Sequence, residues 1–268
     1  MFPSKLLQLA FEAGKLILSV YETDFHVSYK EDHSPVTQAD HLANDHIVTY
    51  LKHHYPQVAI LSEESKDDLS RLSADWCWLV DPLDGTKEFI KKNGEFTVNL
   101  ALVHKGEPVM GIIYVPALDD MYHAQKGEGA YWIPDFSCNP DHERGQRIHV
   151  TQKTKDLTLL HSRSHVYPRI KELVAMNQDK IKGILYAGSS LKGCLIARGE
   201  GDLYYRFGPT MEWDTAAMHC IIEEAGGIFR MMDDTPMIYN KPNVLNTKGF
   251  YLLNREENKL RLKNDLKE

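Results

Sequence analysis

The run Trp78-Leu79-Val80-Asp81-Pro82-Leu83-Asp84-Gly85-Thr86-Lys87 brings together residue types that could bind metal and phosphate at one point. A hydrophobic strand ends in two carboxylates three positions apart, followed by Gly and Thr. Pro82 supplies no ladder N–H, so it is expected to break the strand where Asp81 emerges. Gly85 lets the backbone approach a ligand closely, and Thr86 stands where a helix over 87–91 could begin. Carboxylates above a helix N-terminus offer hard oxygen ligands for Mg²⁺ beside backbone N–H groups suited to an anion. The same residues also spell an Asp-Pro-x-Asp-Gly turn with a purely structural role.

Four further segments deliver polar groups to the end of an element. Ser62-Glu63-Glu64 follows an apolar stretch, either as a solvated loop start or as ligands. Pro35-Val36-Thr37-Gln38-Ala39-Asp40 opens a helix, where Asp40 would complement the macrodipole. Glu212-Trp213-Asp214-Thr215 places Asp214 at a helix start, an N-cap in the plainer interpretation. Gly188-Ser189-Ser190-Leu191-Lys192 follows a strand with N–H groups, hydroxyls and an ammonium, suited to phosphate or to a capped helix alone. The 13 His include no HExxH pair, and His53-His54 read as surface residues at a helix end. Cys77, Cys138, Cys194 and Cys220 lack CxxC spacing and read as free thiols in a reducing compartment.

These groups need elements to hold them. At 268 residues and 43% hydrophobic, the chain suffices for one large domain or two lobes. Apolar periodicity predicts helices over 5–21, 38–53, 168–176, 191–198 and 213–225, the last closed by Gly226-Gly227. Strands are expected over 26–29, 57–61, 77–80, near 148, and over 157–160, 184–187, 203–206 and 228–232, with hairpins in 97–115 and 121–133. The polar stretch 137–146 reads as a break between an N-terminal lobe (1–136) and a C-terminal lobe (147–254). A charged tail, 255–268, is expected as a solvated helix or frayed end. The class is mixed α/β (α+β), neither a TIM barrel nor a purely parallel sheet. A net charge of −7 argues against a nucleic-acid partner but not against a small phosphorylated ligand accompanied by cations. No transmembrane segment or leader is visible, so a cytoplasmic location is expected.

Taken in order, Pro35-Val36-Thr37-x-Ala39-Asp40, Glu63-Glu64, Asp81-Pro82-Leu83-Asp84-Gly85-Thr86 and Trp213-Asp214-Thr215-Ala216-Ala217 with Glu224-Ala225-Gly226-Gly227 form a pattern. It resembles the Mg²⁺-dependent, lithium-sensitive phosphatases of the inositol monophosphatase superfamily. The resemblance spans roughly residues 6–250. Lys87-Glu88-Phe89-Ile90-Lys91 stands where inositol phosphatases usually carry Asn-Phe. With Asn93-Gly94-Glu95-Phe96-Thr97-Val98-Asn99, Ser162-Arg163-Ser164-His165, the 188–192 run and Arg206-Phe207-Gly208-Pro209-Thr210, it is similar to the superfamily's bacterial 3′(2′),5′-bisphosphate nucleotidase branch, which serves sulfur assimilation. Ser62 replaces a common Gly, a departure that touches no ligand.

The resemblance implies a layered α-β-α-β-α sugar-phosphatase fold with the site between two lobes. It implies two or three Mg²⁺ held by Glu63, Asp81, the Leu83 carbonyl, Asp84 and Asp214. Thr86, hydrogen-bonded to Asp40, would orient and help deprotonate the attacking water, with Glu63 assisting. The N–H groups of Gly85 and Thr86 would take the scissile phosphate, and Asp214 would also lie beside the leaving sugar hydroxyl. Lys192 and Ser189 would serve the second phosphate, with Ser162 and His165 near nucleoside or phosphate. The implied reaction converts adenosine 3′,5′-bisphosphate to AMP and phosphate, with 3′-phosphoadenylyl sulfate a further candidate substrate. Inositol monophosphatase or fructose-1,6-bisphosphatase activity, and a catalytically silent phosphometabolite-binding protein, stand as alternatives. Oligomeric state and peripheral association with the inner membrane stay open.

Overall fold

Helix α1 (Ser4–Tyr21) leads into the short antiparallel pair β1 (Val27–Tyr29) and β2 (Pro35–Thr37), then α2 (Gln38–His54). Next come β3 (Ala59–Ser62), β4 (Trp76–Asp84), α3 (Thr86–Ile90), β5 (Thr97–His104), β6 (Glu107–Val115), β7 (Asp120–Gln125), β8 (Gly129–Ile133) and β9 (Gln146–Ile148). The chain continues with β10 (Leu157–Ser162), α4 (Pro168–Met176), β11 (Ile181–Ala187), α5 (Leu191–Ala197), β12 (Leu203–Arg206) and β13 (Thr210–Met211). It closes with α6 (Ala216–Glu224), β14 (Ile228–Met231), β15 (Leu245–Asn246) and β16 (Phe250–Leu253). This computed structural model describes residues 4–30, 35–139, 145–163 and 168–262.

Strands β3 to β9 form a seven-stranded sheet in chain order, parallel at β3–β4 and antiparallel from there on. A five-stranded sheet runs β11-β10-β12-β16-β14. Strand alternation sends neighbouring side chains to opposite faces, which decides the layers. Trp78, Val80, Val98, Leu100 and Ile112 face α1 and α2, burying Leu9, Ala13, Ile17, Ala43 and Ile47. Leu79, Ala101, Val103 and Ile113 face the other way, onto Cys194, Ile196, Ala217 and Ile221 of α5 and α6. Leu160, Tyr204, Phe229 and Leu252 of the five-stranded sheet close that central layer. On the far side Ile170 and Leu173 of α4 cover Leu157, Leu159 and Leu253. The layers therefore follow in the order α-β-α-β-α, as the resemblance implies.

Three local expectations need correction. Strand β4 does not stop at Pro82 but continues to Asp84. Its partners shift from Asp81↔Asn99 to Asp84↔Thr97, a bulge that absorbs the missing donor. The predicted helix 213–225 begins only at Ala216, because Thr215, with φ −121° and ψ −27°, stands outside helical geometry as its N-cap. The tail is not frayed where described: Glu256–Asn258 form a 3₁₀ turn and Leu260 is buried, its N–H donating to the Tyr205 hydroxyl. The C-terminal glycine cap of α6 forms as expected: Gly226, with φ +85°, donates to the Glu223 carbonyl and Gly227 to that of Ile222.

Candidate active site between the two sheets

The alternation that puts Leu79 on the inner face puts Asp81 there too, opposite Asn99. Asp81 is 1% exposed, and its Oδ1 accepts from Leu83 N–H at 3.1 Å. Burial raises its carboxyl well above the usual range, and the charges of Glu63, Asp84 and Asp214 push the same way. Asp84, past the bulge, accepts on Oδ2 from Ser190 N–H (2.7 Å) and the Ser190 hydroxyl (2.8 Å). Asp214 reaches the cluster from the turn before α6, its Oδ2 accepting from Met211 N–H at 2.8 Å. Its carboxyl is also raised well above the ordinary value, by burial and then by Asp84. It does not cap α6, whose N-cap residue is Thr215.

Glu63 follows β3 directly, and its N–H donates to the Val80 carbonyl of the neighbouring strand. Burial raises its carboxyl, while the Lys30 ammonium, 2.8 Å from Oε1, opposes the rise. Lys30 also meets Glu64 at 2.5 Å. Asp40 sits at the third position of α2 in a capping box: Thr37 N–H and hydroxyl each donate to Asp40 Oδ2 at 2.7 Å. The Thr86 hydroxyl donates to Asp40 Oδ1 at 3.4 Å. Burial raises the Asp40 carboxyl against the pull of the Thr37 hydrogen bonds.

Gly85 is the N-cap of α3 with φ +91°, a left-handed conformation that suits glycine. A Cβ there would lie 1.9 Å from Ser189 Oγ, so the turn admits no side chain. Ser189 itself has φ +46°, and its hydroxyl donates to the carbonyls of Asp84 and Glu95, both at 2.9 Å. Lys192 is 5% exposed; its Nζ donates to the Ser189 carbonyl at 2.6 Å and lies 5.3 Å from the Tyr204 ring centroid. Burial pushes its ammonium down to about 8, Asp84 opposing and Arg206 adding to the depression.

A cleft of about 220 Å³ joins these groups. Its lining includes Glu63, Asp84, Gly85, Thr86 and Asp214 together with Ser162, Ser189, Ser190, Lys192 and Arg206. Asp40, Asp81 and Leu83 are buried and do not belong to this lining. His165 lies outside the described residues. Four groups escaped the sequence reasoning. Ser190, next to the chosen Ser189, bridges Asp84 and the Asp214 carbonyl (3.0 Å) and accepts from Asn99 Nδ2 (2.9 Å). Asn99 and Arg206 stood in runs singled out above, but only sheet register shows which of their residues face the cleft. Lys30 carried no signal in its polar loop.

Among the described residues, no three His, Cys, Asp or Glu side chains stand already gathered as a metal cage. The donor chemistry nevertheless fits a hard divalent cation. The charges of Glu63, Asp84 and Asp214 press on buried Asp81, and a bound cation would offset that repulsion with oxygen ligands.

Residues 4–264 match the inositol monophosphatase family. A protein named 3′(2′),5′-bisphosphate nucleotidase CysQ in Buchnera aphidicola is 43% identical over 229 residues, 83% of this chain and 82% of that protein. Its namesake in Escherichia coli K12 is 40% identical over 251 residues, 92% of this chain and 97% of the relative. The crystal structure of CysQ from Bacteroides thetaiotaomicron superposes with a TM-score of 0.79 at 40% identity, covering 93% of this chain and 96% of that one. Thermotoga maritima IMPase, 23% identical, shares the fold with a TM-score of 0.78 over 94% of this chain and 91% of its own.

Proposed function

The chain belongs to the inositol monophosphatase family, and from that premise we propose that it is a Mg²⁺-dependent 3′(2′),5′-bisphosphate nucleotidase. Its reaction would be hydrolysis of adenosine 3′,5′-bisphosphate to AMP and phosphate, with 3′-phosphoadenylyl sulfate as a second substrate, in sulfur assimilation in the cytoplasm. The observation that carries this proposal is one cleft with two poles, acidic at Glu63, Asp84 and Asp214 and cationic at Lys192 and Arg206. A substrate with two phosphates matches both poles. Inositol monophosphate has one phosphate, and the cationic wall would then meet only hydroxyls. The names of the CysQ relatives support the same substrate class.

Glu63, Asp81, the Leu83 carbonyl, Asp84 and Asp214 would hold two or three Mg²⁺. When bound, Mg²⁺ would neutralise charge on the transferring phosphoryl group and acidify the attacking water. Thr86 orients that water, its hydroxyl aligned by Asp40 at 3.4 Å. The raised carboxyl of Asp40 gives it the basicity to accept a proton relayed through Thr86. Glu63 lines the same cleft as Thr86 and assists. The Gly85 and Thr86 N–H groups take the scissile phosphate, and Asp214 stands by the sugar hydroxyl that leaves. Lys192, with Ser189 shaping its turn, meets the second phosphate. Ser162 and His165 serve the nucleoside side.

Phosphate release from adenosine 3′,5′-bisphosphate, 3′-AMP and inositol 1-phosphate, with Mg²⁺ or EDTA, tests the proposal. Release should require Mg²⁺, be inhibited by lithium, and favour the bisphosphate at least about tenfold in kcat/KM. Full turnover in EDTA, or equal rates on all three substrates, would refute it.

A further inference from the structure

Glu212 and Arg71 are buried charges that take no part in the chemistry above. Glu212 is 0% exposed and Arg71 2% exposed. A buried charge costs several kcal/mol unless it is paired and hydrogen-bonded, and these two belong to one connected strap. Glu212 accepts from Asn240 N–H (2.6 Å), Lys241 N–H (3.1 Å) and Lys241 Nζ (2.6 Å). Arg71 donates to Asn240 Oδ1 (2.7 Å) and to the Lys241 carbonyl (3.0 Å), and Asn240 Nδ2 donates back to the Arg71 carbonyl (3.1 Å). The rest of the guanidinium is held by Asp67 Oδ2, at 2.8 and 3.0 Å.

The two ends of the strap lie on elements that adjoin different carboxylates of the site. Arg71 belongs to the 3₁₀ turn Ser70–Ser73, packed on β3, the parallel neighbour of the strand carrying Asp81 and Asp84. Glu212 belongs to the turn that carries Asp214: Met211 N–H donates to the Asp214 carboxylate, and the Glu212 carbonyl accepts from Thr215 N–H. That turn runs directly into α6, the Ala216 N–H donating to the Glu212 carbonyl at 3.1 Å, so the backbone of Glu212 is tied to the start of the helix. A well-packed apolar pair could stabilise the same contact, but it would not define the register that these directed hydrogen bonds impose.

We propose that Glu212 and Arg71 are positioning residues: through Asn240 and Lys241 they hold Asp214 in register with Asp81 and Asp84, and so set the divalent-cation affinity of the acidic pole. The inference rests on the Mg²⁺-dependent function proposed above. The test titrates Mg²⁺ against the thermal midpoint and against turnover. In Glu212→Gln, which keeps shape but drops the charge, half-saturating Mg²⁺ should rise at least about tenfold by both readouts. At saturating Mg²⁺, KM for adenosine 3′,5′-bisphosphate should stay within about threefold. Arg71→Met should move Mg²⁺ affinity in the same direction. In an Asp214→Asn background, where Mg²⁺ is read by the thermal midpoint alone, adding Glu212→Gln should shift the weakened affinity by less than about twofold, because the route through Asp214 is already cut.

Unchanged Mg²⁺ affinity in the folded variants would overturn the inference, as would an equal loss with and without Asp214. If Glu212→Gln does not fold, Arg71→Met and Lys241→Met carry the same expectation and the same contradiction. A wild-type protein whose midpoint and turnover both ignore Mg²⁺ would overturn the proposed function and this inference together. A wild type that responds, beside variants that respond identically, overturns the positioning role alone.

Discussion

Replacing Lys192 by Met separates binding from stability at the cationic pole. The ammonium is held down at about 8 from its usual 10.5, chiefly because it is buried. At about 1.4 kcal/mol per pKa unit, that displacement corresponds to roughly 3 kcal/mol by which carrying the charge disfavours folding near pH 7. The sign follows from linkage. Below about pH 8 folded and unfolded states are both protonated, and the penalty is fully present. Between about 8 and 10.5 the unfolded chain binds a proton that the folded one lacks, so wild-type stability rises with pH there. Met occupies similar volume without charge. Lys192→Met should therefore be more stable than wild type at pH 7 in urea unfolding, by on the order of 1–3 kcal/mol once the lost bond to the Ser189 carbonyl is counted. That advantage should shrink above pH 8. The same variant should raise KM for adenosine 3′,5′-bisphosphate at least about tenfold, leaving 3′-AMP within about twofold. Wild-type kcat/KM for the bisphosphate should itself fall above about pH 8 as the free enzyme loses the ammonium proton. A variant destabilised at pH 7, with equal losses on both substrates, would show that Lys192 is a structural tie to Ser189, and the second-phosphate pole would lose its basis.

Two other outcomes follow from the acidic pole and the turn beside it. Burial and neighbouring carboxylates raise Asp81 and Asp214, so in EDTA their contribution is full at acid pH and is lost as pH rises past the ordinary carboxylate range near 4. Asp214→Asn should thus raise the thermal midpoint in EDTA at pH 7.5 while abolishing turnover with Mg²⁺; an unchanged or lower midpoint would contradict the repulsion. Gly85→Ala forces a Cβ into the Ser189 hydroxyl at φ +91° and should cost about 1–3 kcal/mol and most of the activity. Adding Ser189→Gly, at a position with φ +46°, should recover part of the stability; no recovery would place the strain elsewhere.

The start of α2 at Gln38, the glycine cap at Gly226 and the apolar stripe of α1 were legible along the chain, because each depends on residues within a turn or two of one another. The fold class followed from the order of such segments, and the layer order from the superfamily resemblance. The bulge at Pro82 was not legible: whether a strand ends or continues at a missing donor depends on whether its neighbour can slip one residue, and that neighbour is β5.

The sequence by itself supplied the chemical inventory: carboxylates at 63, 81, 84 and 214, the Gly85-Thr86 turn and an ammonium at 192. Tertiary structure decided which of these share a space and what surrounds them. Ser189 and Ser190 are equivalent on paper, yet the left-handed backbone at Ser189 turns its hydroxyl onto carbonyls and leaves Ser190 to bridge Asp84 and the Asp214 carbonyl. Asn99 reaches Ser190 because β5 pairs with β4 in one register; a slip of one residue would have sent it to the opposite face. Glu212 and Arg71, 141 positions apart in the numbering, meet the same two residues, Asn240 and Lys241. Local sequence sets what each group can do through covalent structure and near-neighbour hydrogen bonds. Which groups meet is set by sheet register and by packing across the two sheets, and those depend on the whole chain at once.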